Sequence, residues 1–307
     1  FVQQAVGTGA LYVKPKADDK YDVAKATQDE RTKDGLGMIE ENLAGLTAEG
    51  SYDDAFSHWL QGMFFLRLGQ DPSDREKARK ELLAATQLNS ANEVFRRDLQ
   101  DAEAPPNAGK GMIVYVVAET GMCPEWYQQR IDIPLFIVAR RVPYVSVALP
   151  AIRPSGLNYN LKLKLDSQDV ALSLASRPDA LIAKHFEAAL PGIKTQAFTS
   201  AAVKATASYL INESADEAAR RANAGSGAML WSIATKVGTT KADIRNWSSL
   251  PARFSVARFE ARPGQKLTVP GHPEASVTLP AGKVLLVSLK STQENLPIVL
   301  RCTPLVP

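Results

Sequence analysis

The chain has 307 residues, 45% of them apolar and 22% charged, and its 36 basic side chains against 33 acidic ones give a formal charge of +3. Such a composition belongs to a globular protein with one large core or two smaller ones, and it excludes disorder, collagen-like repeats and a disulfide scaffold. The excess of positive charge is mild and not gathered on any segment, so nucleic-acid binding is not expected.

No charge-free run reaches the length of a transmembrane helix, and the most apolar helical stretch, Ala224 to Val237, is too short to span a bilayer. The chain opens on Phe1 rather than methionine, an appearance that a removed signal peptide leaves and that points weakly to export. Cys123 and Cys302 are either a disulfide pair in an oxidising compartment or two inert core thiols.

Along the chain, Phe1 to Lys16 is an apolar arm carrying Val2, Val6, Leu11, Tyr12 and Val13, followed by a charge-rich segment to Asp34 and a glycine-weakened helix over Leu36 to Leu46. Tyr52, Phe56, Trp59, Met63 and Leu66 recur at three- and four-residue spacing, with Phe64, Phe65 and Leu68 widening the stripe, which predicts a helix buried on more than one side. Gly69 and Asp71-Pro72 stop it. Ser73 and Asp74 start a second helix with Ala78, Leu82, Ala85 and Leu88 on its inner face, Asn89 ends it, and a third carries Val94, Phe95 and Leu99. Short turns between helices with small residues at the crossings predict a tetratricopeptide-like region of about one and a half units.

The segment Glu103 to Gly109 reads as a linker, dividing residues 1–105 from an α+β domain over 110–307. In that domain, strands are expected over 111–174, helices over 178–247 and strands again over 253–302. The first strands are Met112 to Val117, Ile131 to Val138 and Val142 to Leu149, apolar throughout, and then an alternating one at Leu161, Leu163 and Leu165. Pro178-Asp179 starts a helix that runs to Leu190, Pro191-Gly192 separates it from an Ala-rich one reaching Asn223, and Lys241 to Trp247 forms a short last helix. The closing strands are Phe254 to Phe259, Lys266 to Val269, Ser276 to Leu279, Val284 to Leu289 and Pro297 to Cys302, with Pro-Gly turns spaced as in a largely antiparallel sheet.

Motifs for chemistry are absent. His58, His185 and His272 lie on different elements without a second ligand at zinc spacing, and none of the Gly-x-Gly steps has phosphate-loop or dinucleotide context. There is no nucleophile elbow, and Cys123 has no motif neighbour, so no cofactor, metal or catalytic residue is expected. The carboxylate pairs Asp53-Asp54 and Glu40-Glu41 read as solvated helix faces. Trp247, between polar residues in Arg245 to Arg253, is either a buried corner or, with Arg245, an exposed contact site.

The order of segments resembles a family of uncharacterised bacterial envelope lipoproteins. The matching pieces are Gly111 to Val117, Ile131-Asp-Ile-Pro-Leu135, Tyr144 to Pro150, Leu190-Pro-Gly-Ile193 with Thr199 to Ala207, and the junction Asp243, Arg245, Trp247, Leu250-Pro251 leading into Val256-Ala-Arg258. The resemblance implies an exported protein on the periplasmic side of the outer membrane, held by a lipid anchor upstream of Phe1. It also implies a gene neighbourhood with a penicillin-binding-protein activator, and hence partners in the envelope such as the peptidoglycan-synthesis machinery. It implies no catalytic residue.

The expected function is therefore a non-catalytic interaction or scaffold module, with Tyr21, Tyr52, Trp59, Arg245 and Trp247 as partner-binding candidates. The alternative is a structural subunit of a homo-oligomeric envelope assembly joined through residues 1–16. A third reading is an enzyme with a site assembled from scattered residues such as His185, Asp243 and Arg245.

Overall fold

The computed structural model describes residues 30–46, 52–105, 111–134, 144–156, 160–222, 242–247 and 249–307, without the side chains of 133–134, 144–145 and 202–222. Tyr21, the arm over residues 1–16 and the apolar stretch 224–237 lie outside the described residues. The fold is α+β, and the described helices and strands gather into two compact units.

The larger unit comprises Asn42–Trp126, Ile152–Ala188 and Arg245–Pro307. Three helices open it: α2 (Ala55–Leu68), α3 (Asp74–Leu88) and α4 (Glu93–Glu103). The helix α1 (Glu30–Ala44) precedes them in the chain. Asp54 caps α2 by accepting from the Ser57 amide at 3.1 Å and the Ser57 hydroxyl at 2.5 Å, and Asn92 caps α4 by accepting from the amides of Val94 and Phe95. Of the expected stripe, Phe56, Trp59 and Met63 are buried, Leu66 is half-buried, and Tyr52, ahead of α2, is exposed. Close approach of α2 to α3 requires Gly62, where a Cβ would lie 2.7 Å from Leu82 Cγ.

A five-stranded sheet is ordered β11-β10-β1-β7-β6. Its strands are β1 (Met112–Thr120), β6 (Ser173–Ser176), β7 (Arg253–Ala261), β10 (Val284–Ser291) and β11 (Val299–Val306). Three of its four pairs are antiparallel, but β1 and β10 run parallel, from Ile113 beside Val284 to Thr120 beside Ser291. The long intervening chain makes this parallel crossover possible, and no turn signal reports it.

Alternation along β1 explains its apolar run from Met112 to Ala118. Tyr115 and Val117 face the cluster built by Phe56, Trp59, Met63, Leu82 and Phe95 of the helices. Val114, Val116 and Ala118 face the opposite cluster, with Leu163, Leu165, Leu267 and Val269 of a four-stranded sheet ordered β5-β4-β8-β9. Those strands are β4 (Leu163–Leu165), β5 (Gln168–Val170), β8 (Lys266–Val269) and β9 (His272–Thr278). The expected wet face of Leu163 and Leu165 is present: both leucines are buried, while Lys164 points outward near Asp169. The unit is thus helices, sheet, sheet.

The other unit draws on Phe1–Glu41, Tyr127–Ala151 and Ala189–Ile244. It holds most of α1, the ladder of β2 (Glu125–Pro134) with β3 (Tyr144–Arg153), and the second part of α5 (Pro178–Ala222). Gly35 lets α1 close on β2, since a Cβ there would lie 2.7 Å from Ile131 Cγ1. Lys194 of α5 meets Glu40 of α1 at 2.7 Å.

Two expectations fail in the helical region. Pro191-Gly192 does not divide α5, which runs unbroken with Pro191 inside it. Both residues are exposed, so the carbonyl that loses its proline-blocked donor is left to water rather than buried. Residues 242–247 are not helical: the Ala242 amide donates to the Gln128 side-chain oxygen at 2.9 Å, and a polar run of Asn and Ser close before Pro251 disfavours a helix.

Candidate functional site

The most ordered polar arrangement in the larger unit is buried. Asp98 of α4 is wholly inaccessible. Its Oδ2 accepts from the Trp59 indole N–H at 2.8 Å, and its Oδ1 accepts from the Tyr115 hydroxyl at 2.6 Å, Arg258 at 2.9 Å and Arg67 at 3.3 Å. The two guanidiniums also converge on Oδ2 of Asp101, each at 2.6 Å, and Arg67 Nε donates to the Tyr115 hydroxyl at 2.9 Å. Tyr115 and Arg258 are direct neighbours across β1 and β7, which sets both side chains toward α4. Arg75 of α3 ties the end of α4 by donating to the carbonyls of Asp101 and Ala104.

Two positive and two negative side chains cancel here, and the four donors to Asp98 come from α2 (Trp59 and Arg67), β1 (Tyr115) and β7 (Arg258). Burial pushes the Asp98 carboxyl above the ordinary carboxylate range against the pull of Arg258, and pushes the Tyr115 hydroxyl well above its own. The Tyr115 hydroxyl is the donor and Asp98 the acceptor of their 2.6 Å bond. The network is a clamp between α2, α4, β1 and β7. Sequence reasoning passed over it, although Arg258 within the apolar run Phe254 to Phe259 and Asp98 on the Phe95 side of α4 were charges where only paired charges are tolerated.

The second arrangement is on the surface. Trp247 is 73% exposed, the largest exposure among the exposed large apolar side chains. Its indole N–H donates to the Ser249 hydroxyl at 2.7 Å, the Leu250 amide donates to the Trp247 carbonyl at 3.3 Å, and Lys290 Nζ donates to the Ser249 carbonyl at 3.3 Å. The following residues are anchored: Cys123 donates its amide to the Leu250 carbonyl and its thiol, at 3.1 Å, to the Pro251 carbonyl. An exposed indole thus stands on a fixed corner beside the exposed Arg245. Val299, 52% exposed, is the cross-strand neighbour of Lys290 and adds apolar surface at the same end of the sheet.

The other candidates separate. Trp59 is not a contact residue: it is wholly buried, its ring packed against Phe95, Phe56 and Tyr115. Tyr52 is 57% exposed, with Lys184 Nζ 4.6 Å over its ring and His185 edge-on at 5.1 Å. Asp53 and Asp54 are more than a solvated face, since Asp54 is the α2 cap and Asp53 lies 3.0 Å from His58. His58 sits between that carboxylate and Glu81 at 2.6 Å; hydrogen bonding to Glu81 chiefly, against burial, raises its pKa.

Both cysteines are free thiols. Cys123 is buried, and burial, with the nearby Asp179 charge, pushes its pKa up to about 12. Among the described residues, no group of three His, Cys, Asp or Glu side chains is placed to hold a metal ion. A polar cleft of about 670 Å³ opens between Gly111, Glu260, Arg262 and Lys283, and a smaller one of about 300 Å³ lies between α1 and β2.

No family model, no curated protein and no solved structure matches the chain. Among the described residues, no helix is long and apolar enough to cross a membrane.

Proposed function

We propose that this chain is a non-catalytic interaction module of the bacterial envelope, docking a partner protein on the Trp247 corner. The observation that carries the reading is an indole left 73% exposed although its N–H is bonded to Ser249 and its carbonyl accepts from the Leu250 amide. Aromatic and arginine side chains on rigid supports are the usual anchors of protein interfaces, because they present a large contact area with little entropy left to lose. Arg245 and Trp247 therefore stand first among the partner-binding residues, with Tyr52 a lesser surface aromatic.

The envelope setting rests on the resemblance of the segment order to envelope lipoproteins, with the lipid anchor upstream of Phe1 and the periplasm as the compartment. The stacked pair α2 and α3 is read here as the tetratricopeptide-like piece, and its Trp59 is buried rather than offered to a partner. The peptidoglycan-synthesis machinery is the partner class this setting suggests.

A photo-reactive amino acid at position 247 in cells tests the reading, with positions 162 and 260 as exposed controls on other faces. One envelope protein crosslinked from position 247, and lost in R245A, is the expected result. Equal crosslinking from all three positions would overturn it.

A further inference from the structure

The β6 edge of the five-stranded sheet is covered by side chains instead of by a strand. Asn89 and Asn92, in the turn between α3 and α4, each donate a carboxamide N–H to the Leu174 carbonyl at 2.9 Å, and Asn89 reaches the Ala175 carbonyl at 3.4 Å. Asn92 does this with the nitrogen of the same carboxamide whose oxygen caps α4. A ladder shift between Leu174 and Ser176 breaks the edge further.

The far edge is guarded by other means. Ile113 donates to the Lys283 carbonyl, so alternate residues of β10 from Leu285 onward turn their amides toward β1 and the rest toward β11. By register, Val299, Arg301 and Thr303 are bonded inward, and Leu300, Cys302 and Pro304 lie on the outward row. Pro304 has no N–H to present there, which interrupts the outward row between Cys302 and the chain end. Leu300 and Cys302 keep outward amides.

We propose that the turn between α3 and α4 is a lock on a latent strand-addition edge at β6, and that a second copy of this chain is what it turns away. The sequence of β6, Ser173-Leu-Ala-Ser176, carries no charge, so two released edges meet without repulsion. Leu174, already 46% exposed, is the apolar side chain such a contact covers. An extended segment of a neighbour, the joint imagined for a homo-oligomeric assembly, is refused at this edge by the same lock.

The test is the variant N89A/N92S, in which serine keeps the acceptor that caps α4 while both carboxamide donors are gone. Sedimentation velocity over a concentration series, with amide exchange at Leu174 to Ser176, reads the outcome against wild type. Concentration-dependent association confined to the variant, with those amides protected in the associated form, is expected. A folded variant that sediments as wild type does overturns the proposal. P304V tests the same logic on the other edge should N89A/N92S fail to fold: an unchanged sedimentation profile for P304V also counts against it.

Discussion

Replacing Asp98 with alanine removes one carboxylate and leaves four donors facing each other. The Trp59 indole loses its acceptor, the Tyr115 hydroxyl loses the oxygen 2.6 Å away, and Arg67 and Arg258 keep Asp101 as their one carboxylate of the clamp. Removing one member of a buried ion pair costs about 3–5 kcal/mol, most of it the burden of charge left without its counter-charge. Both guanidiniums retain 2.6 Å contacts to the more exposed Asp101, so the lower part of that range applies, about 3 kcal/mol. For a unit of this size, each kcal/mol moves the melting temperature by about 2–4 °C, so D98A should melt roughly 10 °C lower. Y115F removes a single hydroxyl and should cost about 1–2 kcal/mol. Urea unfolding followed by near-ultraviolet circular dichroism, which reports the packing of Trp59 and Tyr115, measures both. A D98A variant within about 1 kcal/mol of wild type would show that the clamp carries no net stability and that apolar packing alone holds the helices to the sheet.

Two further expectations concern titration and thiol chemistry. His58 has a raised folded pKa, so its bridge between Glu81 and Asp53 contributes fully below the ordinary imidazole value of 6.5 and is lost as pH rises through the raised value. The urea midpoint of H58A should fall below wild type near pH 5.5 and approach it at alkaline pH, whereas a gap independent of pH would refute the ionic account. With Cys123 pushed up to about 12 and buried, a thiol reagent at pH 8 should label Cys302 first and reach Cys123 only on unfolding. Two thiols reacting equally fast in the folded protein would contradict the burial of Cys123.

The helices α2, α3 and α4 were legible because each repeats its apolar residues at helical spacing and the turns between them carry Gly69, Asp71-Pro72, Ser73 and Asn89, whereas the caps Asp54 and Asn92 show only in the fold. Strands β1, β3, β7, β8 and β10 were legible as runs between glycines and prolines, but β2 starts at Glu125 rather than at the expected Ile131, β5 and β6 were not read as strands, and the pairing was not legible. The parallel contact of β1 with β10 depends on residues more than 150 positions apart and leaves no local trace. Pro191 misled because the usual cost of a helical proline falls when its turn is exposed. Trp247 was correctly singled out as unusual, and the choice between corner and contact awaited its burial. The Asp98 clamp was missed for the opposite reason: each charge lay in a segment that was otherwise read correctly, and only the fold brings α4 against β1 and β7.

Strand β1 has one core on each side, so its residues answer to two sets of neighbours at once. A change of volume at Val116 presses on Leu267 and its sheet, while the same change at Val117 presses on the helices. No inner position of the strand is free to drift as a surface residue drifts. Over generations, the stretch from Ile113 to Ala118 should accept almost nothing except exchanges matched by partners far away in the chain, and descendants of this sequence should be recognisable by that segment after its loops have diverged.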